Sequence, residues 1–131
     1  MINEDYVSFE IAKLLKEKGF NEPCNAFYEY KKKLYHDMDK YFPNGMKNSD
    51  HDKENNKGIS APTHQRAMKW LRTVHNISIE PFVDFGSGDE HWWTADISYI
   101  KKDGLIDELC GYNSYEEAAE AALKYTLENF I

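Results

Sequence analysis

Cysteine, histidine and aspartate are the residue types in this sequence that could build a nucleophilic catalytic site. A thiol at Cys110, an imidazole at His91 and a carboxylate at Asp96 would come together only if neighbouring strands aligned them, and such coincidences are common. The sequence has no Gly-x-Ser-x-Gly, Walker or His-Glu-x-x-His motif. We therefore predict no catalytic residue and no cofactor, and we expect a non-enzymatic protein. A small hydrolase or nuclease using the histidines and aspartates near the hairpins stays an alternative.

Metal binding is a second chemistry that the sequence suggests and then argues against. Residues 50–54, DHDKE, begin like a calcium loop, but positions six and twelve of an EF-hand need Gly and Glu, and Asn55 and Ala61 stand there. The cysteines, Cys24 and Cys110, form no Cys-x-x-Cys pair of the kind that binds zinc. We predict no metal site and two reduced thiols.

Two adjacent tryptophans are the most suggestive feature for binding. Neighbouring residues of a strand point to opposite faces of a sheet, so one of Trp92 and Trp93 should enter the core and the other should be exposed, or covered by a helix or a partner. Trp92 either packs beneath the long loop or the first helix, or anchors a protein interface, where tryptophan is enriched. The candidate interface residues are Trp92, His91 and Phe82.

The charge balance excludes one class of partner. The 131 residues carry 16 basic and 23 acidic side chains, a net charge of −7, and 15% are aromatic, which excludes wholesale disorder. The order helix, three strands, helix after Pro62 is that of a double-stranded-RNA-binding domain. Residues 60–131 nevertheless carry six basic against twelve acidic side chains, and Glu116 opens the last helix where an RNA binder places lysines. We predict no nucleic-acid binding, and interpret Lys31–Lys33 as a solvated hairpin tip rather than a phosphate site.

Capping and turn signals outline the secondary structure. Ser8 and Gly19 bound a first helix, Asn76 ends a helix that has Pro62 in its first turn, and Ser114 opens a C-terminal helix with a capping box. Residues 24–36 predict a hairpin, and strands alternate from Ile77 with turns at 86–89 and 103–104. The predicted fold is α+β: helix and hairpin, then helix, three-stranded antiparallel meander and C-terminal helix, with the helices on one face of the sheet.

One segment interrupts this pattern. Residues 37–58 contain no Val, Ile, Leu or Ala, and 48–58 are too polar to pack in a core. We predict a single domain, 1–131, with a mobile polar loop at about 37–58. Because a lone hairpin buries too little, we expect residues 24–36 to share the sheet of the meander.

The beginning of the sequence predicts the compartment. MINED is acidic where a secretory signal is basic, and no run of about 20 apolar residues follows anywhere in the sequence. We expect a soluble, cytoplasmic protein that does not bind membranes.

Several strings resemble a known group of proteins. They are YVSFE with AKLLKEKGF near the beginning, SAPT, KWLR and VH in the middle, and SYEEA near the end. Together they resemble short uncharacterised proteins encoded in prophages and other mobile elements of Bacteroides-type gut bacteria. The resemblance implies a bacterial, phage-derived cytoplasmic protein and supplies no activity.

The leading hypothesis is therefore an accessory protein of a mobile element that acts through protein contacts, either with another protein or with a second copy of itself. An acidic decoy that occupies a nucleic-acid-binding protein is the alternative, since a negative domain offers the matching surface.

Overall fold

The computed structural model describes residues 5–54, 57–101 and 104–131. It divides into two compact units, Met1–Thr63 (unit 1) and His64–Ile131 (unit 2). Each described unit contains α-helices and a three-stranded antiparallel sheet, so the α+β prediction is confirmed. Among the described residues, no helix has both the length and the apolar character needed to cross a membrane.

The first helix of unit 1 begins and ends where local sequence signals place it. Helix α1 spans Phe9–Glu17, and the Ser8 hydroxyl accepts a hydrogen bond from the backbone N–H of Ile11 at 3.3 Å. Gly19 adopts a φ of +95°, and the Phe20 N–H then donates to the Leu15 carbonyl at 2.9 Å. This left-handed cap folds the buried Phe20 ring back toward the helix.

The sheet of unit 1 is built from three very short strands. These are β1 (Phe27–Tyr28), β2 (Leu34–Tyr35) and β3 (Ile59–Ser60), in the order β2-β1-β3. The expected hairpin is present as β1 and β2, but the expectation that it joins the meander sheet is wrong. The edge of β1 that does not pair with β2 pairs with β3, which lies in the same unit. The backbone groups of β1 therefore form their hydrogen bonds within unit 1.

The polar segment 37–58 contributes to unit 1 more than its composition suggests, although residues 55 and 56 lie outside the described residues. A 3-10 helix spans Met38–Lys40 and α2 spans Asn48–Lys53. Asn48 and His51 are buried, so the expectation that this polar stretch cannot pack in a core is wrong for these two side chains. The mobility of the segment stays a prediction.

The burial of Asn48 follows from two hydrogen bonds that its side chain makes with backbone groups. Its Nδ2 donates to the Phe20 carbonyl at 2.8 Å, and its Oδ1 accepts from the Ser60 N–H at 2.9 Å. The His51 ring lies 5.1 Å from the Phe27 ring, between centroids. A polar side chain can enter a core when its hydrogen bonds are met there.

Unit 2 is a three-stranded meander with two helices. Its elements in chain order are α3 (His64–His75), β4 (Ile77–Phe85), β5 (His91–Tyr99), β6 (Leu105–Tyr112) and α4 (Tyr115–Asn129), and the strand order is β4-β5-β6. Helix α3 begins two residues after Pro62, not with it. Asn76 ends the helix with a φ of +57°, as its position predicts. Residues 102 and 103 lie outside the described residues, and the predicted Asp103-Gly104 turn therefore falls partly outside them.

Both helices of unit 2 pack on the same face of the sheet. The buried strand residues of that face alternate, and α4 covers them with a stripe of small and apolar side chains. The strand residues are Ile77, Ile79, Ala95 and Ile97, and the helix residues are Ala118, Ala119, Ala122, Leu123, Thr126 and Leu127. Ser114 caps α4 by accepting from the Glu117 N–H at 3.1 Å. Alanines on α4 let the helix approach the strands closely. The opposite face of this sheet is covered by neither α3 nor α4.

Candidate functional site

The face of the unit 2 sheet opposite α3 and α4, called the open face below, is defined by the strand register. Phe82 pairs with Thr94, and Glu80 pairs with Asp96, which in turn pairs with Glu108. Because side chains alternate along a strand, the same face carries the following residues: Ser78, Glu80, Phe82, Asp84, Trp92, Thr94, Asp96, Ser98, Leu105 and Glu108.

Three carboxylates form a row across the open face. Glu80, Asp96 and Glu108 occupy directly paired positions on three neighbouring strands, so about 5 Å separates each from the next. Asp84 adds a fourth acidic side chain, and the ten residues that define the face include no lysine or arginine. Like charges directly opposite one another destabilise a sheet. The carboxylate row is therefore a feature that the fold alone does not favour.

The carboxylate row changes the titration of Glu108. A hydrogen bond with Asp96, removal from water, and the negative charges of Asp96 and Asp84 together raise the pKa of Glu108 above its ordinary value of 4.5. Each of these effects favours the uncharged form of Glu108 over the charged form.

The neighbouring Asp107 shows the opposite behaviour because it lies on the helix-covered face, opposite Ile97. The Tyr125 hydroxyl of α4 donates to its carboxylate, and with the Glu108 N–H this lowers the pKa of Asp107. The same hydrogen bond raises the pKa of Tyr125. Asp107 and Glu108 are adjacent in β6 but point to opposite faces. Of these two carboxylates, only that of Asp107 accepts a hydrogen bond from α4.

Two polar atoms beside the carboxylate row are buried and have no hydrogen-bond partner among the described residues: Oδ1 of Asp96 and the hydroxyl of Thr94. Thr94 is fully buried, with 0% of its surface exposed. Both residues lie on β5, two positions apart and on the same face. A buried acceptor or donor without a partner costs free energy, so this part of the face carries polar groups that the described residues do not satisfy.

Replacing Thr94 with valine is expected to raise stability by up to about 1 kcal/mol, because the hydroxyl that gains nothing inside unit 2 is replaced by a methyl of similar size. Urea unfolding followed by tryptophan fluorescence measures this, since Trp70, Trp92 and Trp93 all lie in unit 2. A loss of stability of 1 kcal/mol or more, about the worth of one hydrogen bond, would show that the hydroxyl has an internal partner.

Aromatic side chains border the acidic row. Phe82 is 36% exposed and sits beside Thr94 in the register, while Trp92 pairs with Asp84 and is half-buried. A side chain at Gly86 would place its Cβ 3.0 Å from the Trp92 ring, so glycine in the β4–β5 turn leaves room for the indole. The open face thus combines apolar rings with uncompensated negative charge.

Comparison with known proteins found no match to a family model, a curated protein or a solved structure. We therefore base the proposed function on the chemistry of the open face.

The structure separates the candidate interface residues of the sequence. Phe82 and Trp92 both lie on the open face. In the β4–β5 ladder, Phe82 pairs with Thr94 and Trp92 pairs with Asp84. His91 lies at the start of β5, opposite Phe85, and alternation directs it away from Trp92. Its Nδ1 is 3.2 Å from the Asp89 carbonyl oxygen.

The other chemical candidates take ordinary positions. Cys24 is buried and Cys110 is exposed, and neither forms a disulfide. Within the described residues, no group of three or more His, Cys, Asp or Glu side chains is arranged to hold a metal ion. The three lysines of the hairpin tip lie 5.1–5.5 Å from the centroids of Tyr30, Phe9 and Tyr35.

Two features of unit 2 had not been predicted. One is the carboxylate row. The predicted strand lengths and turn positions define a strand register, and that register could have shown that the three carboxylates align. The other is a 2.6 Å hydrogen bond in which His64 Nε2 donates to Glu120 Oε2, joining the start of α3 to α4. No spacing rule links residues this far apart in sequence, so this contact carried no local signal.

Proposed function

We propose that this chain is a small, non-enzymatic cytoplasmic accessory protein of a bacterial mobile element, and that it acts by binding another protein through the open face of unit 2. The observation that carries the proposal is the coexistence of exposed Phe82, half-buried Trp92 and a row of carboxylates on a face that no helix of unit 2 covers.

Aromatic anchors surrounded by polar groups are typical of protein interfaces. The absence of a disulfide between the two cysteines suits a reducing compartment, which supports the cytoplasmic part of the proposal. The resemblance to mobile-element proteins supports the proposed origin.

The hydrolase or nuclease alternative receives less support from the geometry. His91 is aimed away from the open face, and Asp96 pairs with Glu108, not with a histidine or cysteine. A decoy for a nucleic-acid-binding protein is compatible with the open face, since such a partner presents a basic surface.

The proposal predicts that replacing Phe82 with serine weakens partner capture while replacing Phe85 with serine does not. Both are exposed phenylalanines of β4, but they lie on opposite faces, so they form a matched pair. Tagged wild-type protein and both variants are used to capture proteins from a Bacteroides-type lysate, and the recovered proteins are quantified by mass spectrometry. At least one protein should be depleted about tenfold by Phe82→Ser alone, as expected for a lost interface anchor.

Thermal unfolding of each variant checks that both remain folded at the capture temperature. The proposal fails if every captured protein is recovered equally with Phe82→Ser and wild type, or if both variants lose the same proteins.

A further inference from the structure

We propose that the occupant of the open face is an arginine-bearing segment of a partner protein, with the guanidinium group bound between neighbouring carboxylates of Glu80, Asp96 and Glu108. This inference rests on the proposed function and adds the chemistry of the partner.

Charge complementarity is the first reason. The open face carries four carboxylates and no basic side chain within its ten residues. Cross-strand repulsion between them is unfavourable in the free protein, and a bound cation would replace it with attraction. A partner segment that is acidic or uncharged gains nothing from this arrangement.

Geometry favours arginine over lysine. Paired positions on adjacent strands lie about 5 Å apart, so two carboxylates are presented side by side rather than at one point. A planar guanidinium has five N–H donors in a fixed fork and can donate to both carboxylates at once. A lysine ammonium is a compact charge with less directional donors.

Unmet acceptors provide an independent second reason. Asp96 Oδ1 and the fully buried Thr94 hydroxyl have no partner among the described residues and lie on the same strand face. The negative charges of Asp96 and Asp84, which help to raise the pKa of Glu108, are the charges that a bound guanidinium would offset. An arginine bound beside Asp96 would bring N–H donors to this part of the face.

The aromatic side chains fit the rest of the segment. Phe82 pairs with Thr94 and Trp92 with Asp84, so both rings lie within two residue positions of the acidic row. The methylene stem of an arginine packs well on apolar surface, and its guanidinium stacks on aromatic rings.

A second copy of the chain is a weaker occupant. Its most basic segment is Lys31–Lys33, and each of these ammonium groups already lies over a ring of its own chain. These residues are lysines, so they also lack the forked guanidinium group that can donate to two neighbouring carboxylates.

The test uses a synthetic peptide, GSLSRSRSLSG, in which leucine and arginine share one face of an extended chain. Titration into the full-length ¹⁵N-labelled protein is followed by NMR. We expect amide shifts concentrated in β4, β5 and β6, with a dissociation constant on the order of 0.1 mM for so short a ligand. The double variant Glu80→Gln/Glu108→Gln should bind about tenfold more weakly.

The matched control is Glu116→Gln/Glu128→Gln, which removes the same charge from exposed positions of α4 and should change the affinity by less than about twofold. A lysine version of the peptide should bind several-fold more weakly. Equal weakening by the two double variants, equal binding of the lysine version, or no shifts on the sheet would overturn the arginine assignment.

Two outcomes separate this inference from the proposed function. If a glutamine version of the peptide binds as well as the arginine peptide, the face binds protein through its apolar rings and the arginine proposal is wrong. If sedimentation shows a dimer and dilution shifts the open-face amides, the occupant is a second copy and the proposal is also wrong.

Discussion

Replacing Asn48 with alanine should destabilise unit 1 by about 2–4 kcal/mol. The side chain is 4% exposed, and its amide satisfies the Phe20 carbonyl and the Ser60 N–H. Alanine would remove both hydrogen bonds from buried backbone groups, and a buried group that loses its hydrogen bond costs about 1–3 kcal/mol. Amide hydrogen exchange in unit 1 should accelerate roughly 30-fold or more, with the Ser60 amide among the most affected.

Asn44→Ala is the matched control because Asn44 is exposed and close in sequence. Its effect should stay within about 0.5 kcal/mol. Equal exchange rates in the two variants would show that the Asn48 hydrogen bonds contribute little. Hydrogen exchange is the appropriate measurement, because all three tryptophans lie in unit 2 and fluorescence does not report on unit 1.

Asp96→Asn should have the second large effect, which combines a gain in stability with a loss of binding. The change removes the central charge of the carboxylate row and therefore the repulsion from both Glu80 and Glu108. We expect the Tm of unit 2, followed by tryptophan fluorescence, to rise by roughly 3–6 °C at pH 7. Binding of the arginine peptide should fall about tenfold in the same variant. Stability that increases when function is lost is typical of binding sites.

The gain in stability should depend on pH, with a sign set by Glu108. Its pKa is raised in the folded protein, so the folded state binds this proton more tightly than the unfolded chain does. The associated stability is present below pH 4.5, the ordinary value, and is lost as the pH rises through the folded pKa. Wild type and Asp96→Asn should therefore approach each other in Tm near pH 4 and separate toward neutral pH.

Asp107 contributes with the opposite sign. Its pKa is lowered, so its stabilisation is lost as the pH falls through the folded value, but this occurs equally in wild type and variant. The difference between the two proteins isolates the carboxylate row. A gain of the same size at pH 4 and pH 7, or a lower Tm for the variant at pH 7, would contradict the interpretation.

The proposed partner of the open face is basic. The open face carries carboxylates whose mutual repulsion does not stabilise the fold, and they lie beside aromatic rings that are outside the core. If the partner is a nucleic-acid-binding protein, its arginines are the groups that would otherwise contact phosphate, and the decoy hypothesis becomes a special case of the arginine proposal.

Local signals in the sequence determined most of the secondary structure. The Ser8 and Ser114 caps, the left-handed positions at Gly19 and Asn76, and the period-two alternation of β4 and β5 all act between residues a few positions apart. Such signals can be read without knowledge of the fold, and they were sufficient to predict the α+β class and the meander with its helices on one face.

Only the tertiary structure decided which distant groups meet. Pairing of β1 with β3, burial of Asn48 and the hydrogen bond from His64 to Glu120 each join segments that have no local signal for one another. The acidic character of unit 2 is visible in the composition, but its concentration into one row depends on the register of three strands. That register is set by turns and packing together, because a slip of one residue would move every side chain to the other face.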